Sequence, residues 1–147
     1  MTEFEQYFTG LLDGKIVACE KMKRVADMLL EQYYSPGEFH FDYDIAKRHT
    51  DFIERFCKIP SGRIGAPLKL ELFQKARFQA IYGFVDDNNL RQYNECLIVE
   101  GRKNGKTTET ASVEIDLLVN DREGAPQIYN VATTVSYTHL TLPTNSL

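Results

Sequence analysis

An α/β fold is predicted for this chain: helices first, then one strand–loop–helix–strand unit of a parallel sheet. Three observations predict it. Apolar residues recur at helical spacing in four segments of the first 84 residues. A short apolar run, Cys96-Leu97-Ile98-Val99, then leads into a polar turn that contains Gly101 and Gly105. A helical pattern from Glu109 to Val119 and a strand-like run, Gln127-Ile128-Tyr129-Asn130-Val131-Ala132, complete a unit whose two strands should be parallel.

Each element has a local cause. Phe4, Tyr7, Phe8, Leu11 and Leu12 mark a first helix, broken at Asp13-Gly14. A second is expected from about Lys15 to Tyr34, with Met22, Val25, Ala26, Leu29 and Tyr33 inward, and Ser35-Pro36-Gly37 stops it. Its basic cluster Lys21-Met22-Lys23-Arg24 reads as the solvated face of an amphipathic helix in preference to a nucleic-acid patch. Asp42 or Asp44 can cap a third helix, about residues 43–57, whose buried face is Ile45, His49, Phe52, Ile53 and Phe56. His49 is expected in the core, because no second ligand is spaced to join it. Ile59-Pro60-Ser61-Gly62 ends that helix, and the loop continues to Pro67. A fourth helix from about Glu71 to Phe84 places Leu72, Ala76, Ala80 and Phe84 on one face. Asp86-Asp87-Asn88-Asn89 is a polar turn. The run from Cys96 follows as a short buried strand, and the helix after the loop should pack through Ala111, Ile115 and Leu118. No internal repeat is visible.

Composition bounds the function. At 147 residues the chain is about one domain long, and its 43% hydrophobic and 12% aromatic shares can form a core. A net charge of −4 lacks the basic balance of a dedicated nucleic-acid-binding domain. Cys19, Cys57 and Cys96 are odd in number and show no metal-ligand spacing, so reduced thiols are expected. The first residues have no basic-then-apolar pattern, so no signal peptide is expected, and no apolar run approaches a membrane span.

Chemistry concentrates in Glu100-Gly101-Arg102-Lys103-Asn104-Gly105-Lys106-Thr107-Thr108. Successive backbone N–H groups closed by a helix N-terminus make a concave anion site. Gly105 lets the backbone turn closely around the β-phosphate, where a Cβ would clash. Lys106 suits the β- and γ-phosphates of ATP, Thr107 suits Mg²⁺, and Thr108 suits the α-phosphate. The usual phosphate-loop pattern wants glycine at position 100, where Glu100 stands, so this loop is deviant. Arg102 and Lys103 are either solvated charges or extra phosphate ligands, with Arg102 suited to stabilising transition-state charge in cis.

These loop residues resemble the deviant phosphate loop of tailed-bacteriophage terminase large subunits, the ATP-driven motors that package viral DNA. Phe52-Ile53-Glu54, Leu70-Glu71-Leu72-Phe73-Gln74 and Ile128-Tyr129-Asn130-Val131-Ala132-Thr133-Thr134 resemble further segments of that family, so the likeness runs from about Ile16 to Thr134. It implies an ASCE-type P-loop NTPase. Residues 1–69 would form a helical N-terminal region, and residues 70–134 the start of the ATPase domain. Lys106 and Thr107 take the phosphate and Mg²⁺ roles, Gly101, Lys103, Asn104, Gly105 and Thr108 line the nucleotide, Gln74 reads adenine, and Arg102 is the cis-arginine. Glu100 departs from a position often held by a small residue, which bears on how closely the loop wraps the phosphates. The implied partners are double-stranded viral DNA, a portal protein, a small terminase subunit and further copies in a ring. The implied place is the bacterial host cytoplasm, with docking on the prohead.

The family also needs a strand ending in acidic groups to hold Mg²⁺, and a two-metal nuclease. Neither is legible before the chain ends, and Asp116 sits within a helical pattern, so binding without turnover or DNA cleavage is expected. Residues 135–147 resemble the translation of a sequencing adaptor and are set aside as a tail. Two other classes fit less well: another P-loop motor such as a helicase, and a helical adaptor with an incidental Gly-Lys-Thr turn.

Overall fold

The computed structural model describes residues 1–59, 64–101, 103–121 and 127–129. The chain divides into two compact units, Met1–Val99 and Glu100–Leu147. In the first lie α1 (Glu3–Leu12), α2 (Glu20–Tyr34), β1 (His40–Phe41), α3 (Tyr43–Phe56), α4 (Leu72–Gly83) and β2 (Phe84–Val85). In the second lies α5 (Lys106–Asn120). The mixture agrees with an α/β class.

The helices of the first unit begin where side chains satisfy the amides that a helix start leaves open. Thr2 and Glu5 cap α1 reciprocally: Glu5 N–H donates to Thr2 Oγ1 at 3.1 Å, and Thr2 N–H donates to Glu5 Oε2 at 3.0 Å. Asp42, one of the two expected caps, starts α3 by accepting from Ile45 N–H at 2.8 Å. The second helix begins at Glu20, later than the spacing suggested. The reason is a turn out of α1, where Gly14 is left-handed at φ 73° and Ile16 N–H returns to the Gly10 carbonyl at 2.9 Å.

Phe4 is the centre of the core. It is fully buried, and its ring lies 4.8 Å from Phe8, 5.2 Å from Tyr33, 4.7 Å from Phe41 and 5.8 Å from Phe84. Aromatic pairs at these separations add about 0.5–1.5 kcal/mol each beyond the area they bury. α1 packs on α2 and α4, and α3 packs on α4. On α3 the buried residues are Ala46, His49, Thr50 and Ile53, while Phe56 is 57% exposed. The buried face is therefore rotated from the expected one. His49 is a core residue, stacked 4.1 Å from the Tyr82 ring.

The sheet differs from the expected one. It has two strands, β1 and β2, paired antiparallel with His40 opposite Val85 and Phe41 opposite Phe84. Gly83 permits their approach, since a Cβ there would stand 2.6 Å from Phe41 Cε2. The run Cys96–Val99 forms no strand and is not buried: Leu97 is 90% and Val99 84% exposed. A strand needs neighbours to take its N–H and C=O groups, and none is paired to this run among the described residues. Gln127–Tyr129 likewise forms no strand, and residues 130–134 and the tail lie outside the described residues. Among the described residues no helix is long and apolar enough to cross a membrane.

Candidate functional site

The glycine-rich turn leads directly into α5. Gly105 is its N-cap, with φ 78° and ψ 10°, and supplies no side chain to the first-turn amides. The first intrahelical bond runs from Glu109 N–H to the Gly105 carbonyl at 3.0 Å. The N–H groups of Lys106, Thr107 and Thr108 thus precede the helical ladder, as at any uncapped start. A Cβ at Gly105 would meet nothing within 4 Å, so the space over the turn is open. Lys103 is also left-handed, at φ 68°.

Lys106 closes the turn. Its Nζ donates to the Glu100 carbonyl at 2.8 Å and to the Gly101 carbonyl at 3.3 Å. An ammonium has three N–H donors, and among the described residues two are used, which leaves the third for an anion. The Thr107 and Thr108 hydroxyls make no hydrogen bond among the described residues. Gly101 approaches Asn104, whose Nδ2 would lie 3.6 Å from a Cβ at that glycine. An uncapped helix start, a lysine held across the turn and open space over Gly105 together suit a phosphate chain. Arg102 lies outside the described residues.

The family model for the terminase large subunit ATPase domain matches residues 72–143. Over 74 residues, 50% of this chain, the sequence is 39% identical to "Terminase, large subunit" of Enterobacteria phage HK97. The chain belongs to the terminase large subunits. It spans 14% of the length of that phage terminase subunit. No solved structure matches it. The terminase match begins at the first residue of α4, contains the turn and α5, and extends into the stretch set aside as a tail.

Within this terminase segment, Gln74 sits in the first turn of α4. Its Oε1 accepts from Glu71 N–H at 2.9 Å, one half of a reciprocal cap with Glu71. Glu54 of α3 holds the approach to that turn: Oε1 accepts from Leu70 N–H at 3.0 Å, and Oε2 pairs with Lys75 Nζ at 3.0 Å. Gln74 belongs to the unit Met1–Val99 and the turn to the other.

Two polar features escaped the sequence reading. Gln79 is fully buried; its Oε1 accepts from Phe4 N–H at 2.9 Å, and its Nε2 donates to Glu3 Oε2 at 3.0 Å. On α5 the buried residues are Glu109, Ser112 and Asp116, whereas the expected packing residues Ala111, Ile115 and Leu118 are half-buried. The buried stripe is hydrogen-bonded, with Ser112 Oγ donating to the Glu109 carbonyl at 2.7 Å and Asn120 Nδ2 to Asp116 Oδ1 at 2.6 Å. Its i, i+3, i+7 spacing was a readable signal, and apolar weighting hid it. Among the described residues no cluster of three or more His, Cys, Asp or Glu side chains is placed to hold a metal, and all three cysteines are free.

Proposed function

We propose that the turn Glu100–Thr108 binds the phosphates of ATP-Mg²⁺ as the nucleotide site of a viral DNA-packaging motor. The observation that carries this reading is the Lys106 ammonium, held over the turn by two carbonyls with its third donor open among the described residues. The terminase match across the same residues supports it. In this reading the first-turn amides of α5 and the Lys106 ammonium hold the β- and γ-phosphates. Gly101, Lys103, Asn104 and Gly105 shape the turn, Thr107 gives its hydroxyl to Mg²⁺, and Thr108 meets the α-phosphate. Arg102 neutralises charge that develops on the γ-phosphate, and Gln74 recognises adenine. Bound ATP supplies the phosphoryl group whose transfer to water drives the motor.

In the whole protein the run Cys96–Val99 becomes a strand of a parallel ASCE-type sheet once neighbouring strands cover it. The Mg²⁺-holding acidic strand and the nuclease belong to the rest of the subunit. Its partners are double-stranded viral DNA, a portal protein, the small terminase subunit and further copies in a ring, in the host cytoplasm and at the prohead.

Calorimetry with ATP-Mg²⁺ on the wild type and on Lys106→Ala tests the site. Loss of a charge-assisted hydrogen bond worth about 1.5–3 kcal/mol weakens binding roughly 10- to 150-fold. Equal affinity in the two proteins would sink the phosphate-loop reading.

A further inference from the structure

α2 has a face that its own unit leaves uncovered. Its buried side is Ala26, Leu29 and Leu30. On the opposite side stand Lys21, Arg24, Val25, Met28 and Glu31, a spacing that lines one face of a helix. Val25 is 41% and Met28 51% exposed. Lys21, Arg24, Asp27 and Glu31 are exposed, and none of them has an ion pair among the described residues.

The order of charge along this face is informative. Lys21 and Arg24 stand in its N-terminal half and Glu31 in its C-terminal half, with Asp27 at its edge, while Glu20 at the N-terminal end is paired with Lys23. Such a surface complements its own reverse. Two copies of α2 laid antiparallel about Ala26 bring Val25 and Met28 of one to within one residue's rise, about 1.5 Å, of Met28 and Val25 of the other. Lys21 and Glu31 lie equally far from Ala26, about 7.5 Å along the axis at a rise of 1.5 Å per residue. Lys21 therefore comes level with Glu31 of the second copy, and Arg24 falls between that copy's Asp27 and Glu31. A parallel pairing would set like charges level, which disfavours it.

We propose that this face of α2 binds a second copy of the chain in an antiparallel, two-fold symmetric contact. Val25 and Met28 form its centre, and Lys21 and Arg24 meet Asp27 and Glu31 at its ends. A single helix face is smaller than the roughly 1,200 Å² of a stable interface, so the association is weak. Its ion pairs are exposed, so salt loosens it.

Sedimentation equilibrium on the 147-residue chain tests this. At low salt the average mass rises with concentration from monomer towards dimer, and at high salt it returns to monomer. The charge-reversed variants Lys21→Glu/Arg24→Glu and Asp27→Lys/Glu31→Lys are each monomeric, with helix content retained by circular dichroism. Mixed in equal amounts, the two restore a dimer, because each now carries the other's complement. A wild type monomeric at all concentrations overturns the proposal. So does a dimer indifferent to either reversal, or a mixture that fails to associate.

Discussion

Phe4 and Lys106 sit at the centres of two differently built regions. Phe4 touches four aromatic rings, and its N–H bonds a buried glutamine. Lys106 rests on two backbone carbonyls of an exposed turn. In the first region side chains fix the structure, and the stabilisation comes from burial that no ligand is needed to complete. In the second the backbone fixes it, through left-handed residues at 103 and 105 and a helix start without a side-chain cap. Stability and chemistry should then separate under mutation. Phe4→Ala is the largest test: truncating a buried phenylalanine costs about 3–5 kcal/mol, read as a lower midpoint in denaturant unfolding. Lys106→Ala should shift that midpoint by less than about 0.5 kcal/mol, as exposed substitutions do. A comparable shift from both would erase the distinction.

Gln79 sharpens the same contrast, because here a polar side chain does structural work. Gln79→Leu keeps the volume but leaves the Phe4 N–H without its acceptor and the Glu3 carboxylate with the Tyr43 hydroxyl but not the Gln79 amide. The expected cost is about 1–3 kcal/mol in unfolding free energy. An unchanged midpoint would mean that water replaces the amide.

The two regions also differ in how far the sequence revealed them. The four helices of the first unit were legible because their apolar residues repeat at helical spacing and a cap such as Asp42 is a local signal. The turn was legible because Gly-Lys-Thr before a helix is a local pattern. What stayed hidden depends on distant partners. The strands β1 and β2 are two residues each, set by the packing of Phe41 against Gly83. Gln79 is buried because Phe4, far away in sequence, needs an acceptor. The run Cys96–Val99 has strand composition, yet composition supplies no neighbour to pair with.

Acid provides a smaller test, confined to the first region. Burial pushes the Glu3 carboxyl up, but hydrogen bonds from Gln79, its own backbone and Tyr43, with the Lys75 charge, outweigh it and hold Glu3 below its ordinary value. The Thr2 N–H holds Glu5 down against its burial, with help from Tyr34. A carboxyl depressed in the folded state gives stability that is fully present above its unfolded value. That stability is lost as pH falls through the ordinary carboxylate range towards the depressed folded values. Unfolding followed from neutral to acid pH should therefore show a declining midpoint. Glu5→Gln should flatten part of that decline, and an equally steep profile in the variant would assign it to other groups.

The smallest effect is expected at Lys103, and it isolates the role of the backbone in the turn. A lysine at φ 68° occupies a region that costs an L-residue about 1–2 kcal/mol. Lys103→Gly removes that cost but frees the unfolded chain, so the net change is within about 1 kcal/mol, with the sign set by the relief of strain. Gly105→Ala does the reverse. It places a Cβ at φ 78° with open space around it, so its penalty of about 1 kcal/mol comes from conformation and not from collision. Hydrogen exchange at the Glu109 and Thr110 amides, which close the first turn of α5, reads both changes. Lys103→Gly should hold or raise their protection, and Gly105→Ala should lower it. If both variants lower it alike, the Lys103 side chain and not its backbone holds the turn, and the contrast with the aromatic region loses its basis.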